Sequence, residues 1–187
     1  MSSFLVLAVG LMLALPAAAA AAEPLPTGSD PHNTLFIDLP SGRIVIKLRP
    51  DLAPKHVERL KTLAREKFYD NVPFHRVIAG FMAQTGDPTG TGTGKSKYPD
   101  LPAEFSKVPF TRGVVGMARG PSPNSGNSQF FIMFADAPSL NGQYTVVGEV
   151  VSGMNVVDGI KKGSEANNGV VSGPDRMVRV QVAADAK

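Results

Sequence analysis

The sequence predicts an all-β protein: a closed, eight-stranded antiparallel barrel capped by two α-helices and built from residues 34–187. Three observations lead there. Glycine occurs 19 times and proline 16 times in 187 residues, a turn-rich composition. Eight short apolar segments, several of them alternating, are separated by turn residues. Only two stretches place apolar residues at helical spacing. Eight antiparallel strands can close on themselves, which removes exposed edges.

In chain order, Thr34–Leu39 is apolar and extended, Pro40-Ser41-Gly42 is a turn, and Arg43–Leu48 sets Ile44 and Ile46 against Val45 and Lys47. This is a hairpin signature. Asp51-Leu52-Ala53-Pro54 then opens a helix. Pro54 suits its first turn, where a missing N–H costs nothing, and Asp51 or a neighbour caps it. Val57, Leu60, Leu63 and Ala64 share one helical face, and the helix fades near Glu66–Tyr69. Val72–Ile78 and Phe81–Thr85 read as strands broken at Ala79-Gly80. Gly86–Pro109, rich in Gly, Thr, Pro and Lys, is a loop long enough to be functional. Strands resume at Gly113–Ala118, Gln129–Phe134 and Tyr144–Val151, with the polar, glycine-rich Arg119–Ser128 between the first two. Met154–Lys161 is the second helix and Met177–Ala183 the last strand.

Composition removes several function classes. Nineteen Lys and Arg against 16 Asp and Glu give a net charge of +3, without the clustered basic stripe of a nucleic-acid binder. The absence of cysteine removes disulfides, thiol nucleophiles and thiolate metal sites together. His32, His56 and His75 lack ligand spacing and read as surface histidines, so no metal and no cofactor is expected. Thr89–Ser96 ends like a phosphate-binding loop, but Thr89 stands where that motif needs its first glycine, and Tyr98-Pro99-Asp100-Leu101-Pro102 cannot start the helix that must follow. It reads as a solvated loop. Gly126-Asn127-Ser128-Gln129-Phe130 has Phe130 where a nucleophile elbow needs glycine.

Residues 1–22 are a separate object. Ser2–Ala22 carries no charged side chain; an apolar core spans Phe4–Leu15, Pro16 breaks it, and six alanines follow. The non-alanine apolar run is about a dozen residues, short of the ~20 that span a bilayer. No Lys or Arg follows until Arg43. This pattern fits a cleaved export signal. The mature chain would begin near Glu23, with a proline-rich extended leader over residues 23–33 and no lasting membrane association. The expected location is the periplasm or the medium.

Phe74-His75-Arg76-Val77-Ile78-Ala79-Gly80-Phe81-Met82-Ala83-Gln84-Thr85-Gly86-Asp87 carries an arginine among Phe, Met and Gln. Alternation puts Phe74, Arg76 and Ile78 on one face, and after the Ala79-Gly80 break Phe81 or Met82 and Gln84 can join it. Taken alone, Arg76 is either a charge snorkelling across an apolar wall or a functional donor.

That segment resembles the signature of the cyclophilin family of peptidyl-prolyl cis-trans isomerases. Two further blocks match in the same order. One is Gly116-Met117-Ala118-Arg119, Asn124–Asn127 and Ser128-Gln129-Phe130-Phe131-Ile132. The other runs from Leu140-Asn141-Gly142-Gln143-Tyr144 to Val150, then Gly153–Asp158. The similarity extends from about Thr34 to Ala183. It implies an eight-stranded barrel with two helices and a shallow substrate groove on the outer face. By this resemblance Arg76 takes the place of the catalytic arginine, and Phe81, Met82, Phe131 and Leu140 wall the proline pocket. Gln84 and Gln129 hold the substrate backbone and orient the arginine. Ala118 and the backbone of Arg119 bind the residues before proline, and Tyr144 closes the pocket. Three positions depart from many relatives: Arg119 for Asn, Ser139 for Trp and Tyr144 for His. The Arg119–Ser128 loop is one residue longer than in the commonest eukaryotic members.

The implied activity is acceleration of rotation about Xaa–Pro bonds, in aid of folding exported proteins. Its partners would be unfolded or extended proline-containing polypeptides, met by a monomer. The alternative is a proline-peptide-binding chaperone or assembly module whose isomerase activity is incidental.

Overall fold

The computed structural model describes residues 25–186. Its elements in chain order are β1 (Thr34–Leu39), β2 (Gly42–Leu48), α1 (Pro54–Arg65), β3 (Arg76–Ile78), β4 (Met82–Thr85), β5 (Val114–Met117), β6 (Phe130–Met133), β7 (Val146–Ser152), α2 (Met154–Gly159) and β8 (Arg179–Val182). The strands form an eight-stranded antiparallel sheet in the order β3-β4-β6-β5-β7-β2-β1-β8. Register shifts at Val45/Ile46 and Val115/Gly116 mark irregularities of the kind that bend strands, and the sheet is curled.

Period-two alternation decides what each strand buries. Leu35, Ile37, Leu39, Ile44, Ile46 and Leu48 from β1 and β2 enter the main core, with Ala83, Val115, Met117, Phe130 and Ile132 from β4, β5 and β6. Their neighbours Phe36 and Val45 point the other way and pack with Ala183, and Leu25 from the leader lies against them. Met82, Phe131, Met133, Val114 and Val146 also face outward, where Phe110 and Ala137 cover them in a second apolar layer.

α1 buries Val57, Leu60, Leu63 and Ala64. Removing the three larger side chains from water stabilises the fold by roughly 1.5–3 kcal/mol each. The expected cap does not form. Ala53 occupies the N-cap position without a side-chain bond, and Asp51 is engaged with Arg49 at 2.7 Å. Glu104 does the work instead: its carboxylate accepts from Lys55 N (3.1 Å) and His56 N (3.0 Å). The same carboxylate accepts from His56 Nδ1 at 2.7 Å.

The expectation of a closed ladder is corrected. β3 and β8 are the two ends of the sheet, which is a curled half-barrel. Between them stands one bridge, Pro73 with Arg176, and backbone bonds from Asn71 N to Met177 O (2.7 Å), Met177 N to Val72 O (3.0 Å) and Phe74 N to Asp175 O (2.9 Å). Two causes are local. Pro73 has no N–H to continue a ladder. The outer edge of β3 is already taken by residues 163–171, through Val77 N to Gly169 O (2.8 Å), Gly163 N to Val77 O (2.9 Å) and Val171 N to His75 O (3.1 Å). The predicted strands at Val72–Ile78 and Met177–Ala183 are shortened accordingly. The export-signal segment, residues 1–22, lies outside the described residues; among those described, no helix is long and apolar enough to cross a membrane.

His56 and His75 are not surface residues: they are 1% and 6% exposed. Burial pulls the pKa of both below the ordinary imidazole value, only partly opposed by Glu104 at His56 and by Asp87 and the Pro73 backbone at His75. Each is therefore neutral at pH 7, and His56 Nδ1–H donates to Glu104. An imidazole that resists protonation in the folded state but accepts it in the unfolded state favours folding fully above the unfolded value of about 6.5. That contribution is lost as pH falls below it toward the folded pKa. Asp38, Asp87 and Glu104 are held below the usual carboxylate range, so their contributions persist until far more acidic pH. The thermal unfolding midpoint should thus fall between pH 7.5 and pH 5, and fall less in His75→Gln. A midpoint unchanged across that window would mean that both imidazoles protonate freely in the folded protein.

Candidate active site

One cross-strand row builds the site. Arg76 on β3 pairs with Gln84 on β4, Gln84 with Phe131 on β6, and Phe131 with Gly116 on β5. Since Ala83, Ile132 and Val115 beside them point into the core, the row lies on the outer face. The next pairings add Ile78 opposite Met82 and Met82 opposite Met133.

Gly116 in this row is a matter of space. A Cβ there would stand 2.5 Å from Phe131 Cζ and 2.6 Å from Phe110 Cε1. Its absence lets Phe110 and Phe131 stack at 5.7 Å between centroids, with Tyr144 edge-on to Phe131 at 5.7 Å. Phe110, 1% exposed, is thus the support beneath the aromatic wall.

Above this row lies a cavity of about 200 Å³. Its walls are Phe81, Met82, Phe131, Leu140 and Tyr144; Arg76, Gln84, Ala118 and Arg119 complete the lining. Gln129 stands behind Gln84 and opens on an adjoining depression of about 310 Å³, which shares Gln84, Ala118 and Arg119. The structure therefore brings together all ten residues selected from the sequence.

Arg76 is held from two sides. Its Nη1 donates to Gln84 Oε1 at 3.3 Å, while Nε donates to Asn168 O and Nη2 to Asn168 Oδ1, both at 3.0 Å. Three of a guanidinium's five N–H groups are so engaged, leaving two for a ligand. Gln84 Nε2 donates to Gln129 Oε1 at 2.9 Å, and Gln129 Nε2 donates to Gly92 O (3.0 Å) and Gly94 O (2.9 Å). Burial lowers the Arg76 pKa from the ordinary guanidinium value, with Tyr144 opposing the shift. An arginine remains charged at pH 7 regardless.

Arg119 does more than its backbone was expected to do. Its guanidinium lies 4.6 Å over the Tyr144 ring, and Nε and Nη2 donate to Gln143 O at 3.2 and 3.1 Å. It braces the ring that closes the pocket. Leu140 reaches the wall from a short 3₁₀ turn, Pro138–Leu140, in which Ser139 is exposed.

Asn168, Phe110 and the Gly92 and Gly94 carbonyls escaped the sequence reading. Asn168-Gly169 is a turn signal, and Asn168 does take a positive φ of 50°. Nothing in it announces a contact with an arginine 92 residues upstream.

Chemically, the arrangement offers an apolar pocket of ring size beside a fixed, charged, multi-donor group. His56 and His75 do not line it. Among the described residues there is no cluster of three or more His, Cys, Asp or Glu suited to a metal ion.

Residues 34–182 match the family model described as cyclophilin type peptidyl-prolyl cis-trans isomerase/CLD. A "probable peptidyl-prolyl cis-trans isomerase" of Brucella suis is 59% identical over 172 residues, covering 86% of this chain and 88% of the relative. A "peptidyl-prolyl cis-trans isomerase-like 3" of Rattus norvegicus is 42% identical over 134 residues, covering 69% and 81%. Among solved structures, a cyclophilin from Hirschia baltica superposes with a TM-score of 0.76 at 26% identity, over 85% of this chain and 77% of that one. A Cryptosporidium parvum cyclophilin-type isomerase, crystallised in the presence of the dipeptide Ala-Pro, gives 0.72 at 27% identity over 80% and 98%.

Proposed function

The chain belongs to the cyclophilin-type peptidyl-prolyl cis-trans isomerases, and from that premise we propose that Arg76 is its catalytic donor and that it serves the folding of exported proteins. The observation that supports the first part is the guanidinium itself, held by Asn168 and Gln84 at the edge of a pocket whose walls are Phe81, Met82, Phe131, Leu140 and Tyr144.

Rotation about an Xaa–Pro bond breaks amide conjugation against a barrier of about 20 kcal/mol. No bond is made or broken, so neither nucleophile nor general acid is required. As the bond twists, the prolyl nitrogen becomes pyramidal and regains a lone pair. A donor aimed at that lone pair binds the twisted state better than either planar one, which is how binding becomes rate. The apolar walls hold the proline ring while the acyl side swings. Gln84, Ala118 and the Arg119 backbone hold the chain before proline. The Ala-Pro dipeptide used with the Cryptosporidium parvum relative is of the substrate class this pocket would take.

A preorganised donor is typically worth about 3–4 kcal/mol. Arg76→Ala should therefore lower turnover at saturating peptide by about 10²–10³-fold while affinity changes severalfold at most. Arg76→Lys should not rescue it, since a point-charge ammonium cannot reproduce the planar fork. Asn168→Gly keeps the left-handed backbone and its carbonyl but removes Oδ1, and should cost about three- to tenfold in turnover. Phe131→Ala should instead weaken peptide binding by roughly ten- to a hundredfold. Exchange rates and titrated affinities on folded variants decide this. Near-normal turnover in Arg76→Ala would leave a peptide-binding module as the better reading.

For the second part, the support is the uncharged Ser2–Ala22 segment with its apolar core and alanine run. Uncatalysed prolyl isomerisation takes tens of seconds or more, slow enough to limit folding after export. The N-terminal sequence of the protein from an envelope fraction should begin near Glu23. A membrane-bound chain that retains Leu5 would overturn the assignment.

A further inference from the structure

Asp87 does not line the pocket, yet its carboxylate is wholly buried. Its Oδ1 accepts from Thr89 N and Thr89 Oγ1, both at 2.7 Å. Its Oδ2 accepts from Gly92 N (2.6 Å) and Gly94 N (3.1 Å), with Thr91 Oγ1 at 3.5 Å. The Thr-Gly repeat that imitates a phosphate-binding loop is thus an anion cradle whose anion is the chain's own side chain. The glycines are required for it. Gly90 and Gly92 have φ of 69° and 88°, and a Cβ on Gly94 would stand 1.9 Å from Asp87 Oδ1.

The cradle sets a direction. With their N–H groups turned in toward Asp87, Gly92 and Gly94 turn two carbonyls toward Gln129, and both accept from its Nε2. That fixes which end of the Gln129 amide is which: nitrogen to the loop, oxygen to Gln84 Nε2. Gln84 must then offer its own oxygen to Arg76 Nη1. Were Gln129 free to flip, its NH₂ would meet the Gln84 NH₂. Gln84 would turn in response and face the guanidinium with a donor.

We propose that Asp87 is a positioning residue for Arg76, acting through the Gly92 and Gly94 carbonyls, Gln129 and Gln84 to keep an acceptor against the guanidinium. The inference rests on Arg76 being the catalytic donor, and the variants are chosen to separate the two claims.

Asp87→Asn keeps the shape but replaces one acceptor oxygen with a donor, so one side of the cradle is lost. Turnover of an Ala-Pro peptide at saturation should fall about tenfold, with affinity within about twofold, because small misplacements of a reacting group cost rate before binding. In an Arg76→Ala background the same substitution should cost nothing further, since the group it positions is gone. Thr89→Val, at an exposed site, removes the Oγ1 bond to Asp87 and the Oγ1 contacts with Thr91 but keeps the Thr89 N bond; it should lower turnover about threefold and carries the test if Asp87→Asn does not fold. Wild-type turnover in folded Asp87→Asn, or an equal loss with and without Arg76, overturns the inference while leaving a slow Arg76→Ala to support the catalytic assignment. Undiminished turnover in Arg76→Ala overturns both.

Discussion

A guanidinium at the end of a flexible stem is of little use to a reaction unless something else fixes where it points. Both Arg and Lys side chains carry about 2 kcal/mol of rotamer freedom, and a donor that must be ordered at the moment of reaction loses that advantage. Here Arg76 is ordered in advance. Asn168 takes Nε and Nη2 through its backbone and side-chain oxygens, and Gln84 takes Nη1 from the other side. Each partner is itself held: Asn168 by a left-handed turn beside the β3 edge, Gln84 by Gln129 and the loop around Asp87.

The sheet makes this economical. Because side chains alternate, the strands that fill the core with Ala83, Phe130, Ile132 and Val115 must present their other residues outward. Register then aligns Arg76, Gln84, Phe131 and Gly116 in one row, so the charge, the amide and the aromatic wall sit on rigid backbone. The half-open edge of β3 has a use as well. Its outer N–H and C=O groups pair with residues 163–171, and that pairing delivers Asn168 to Arg76. A ladder carried through to β8 would occupy the same edge.

What could be read from the sequence was what is encoded locally. Alternation placed Arg76 and Gln84 on a common face, the Pro54 helix start was correct, and the blocks around Arg76, Gln129 and Tyr144 selected residues that do converge on one cavity and the depression adjoining it. What could not be read depends on contacts between distant segments. The α1 cap is Glu104, not Asp51, because a carboxylate brought in by the later loop reaches the N–H groups first. His56 and His75 looked like surface residues, since no local pattern reports that a loop will bury them. The Thr-Gly repeat reads as a solvated loop, and Thr89, Thr91, Gly92 and Thr93 are exposed; what no local pattern reports is that its N–H groups close on Asp87, just before it in the chain.

On this reading rotation about the Xaa–Pro bond is accelerated by a donor that never changes protonation, with no acid–base group taking part. Two-dimensional exchange NMR on an Ala-Pro peptide, with substoichiometric protein from pH 5 to pH 8, tests it directly. Cis–trans exchange should be far faster than the uncatalysed tens of seconds and nearly flat with pH once the uncatalysed rate is subtracted. A peptide that binds without faster exchange, or a bell-shaped rate profile centred in that window, would contradict it.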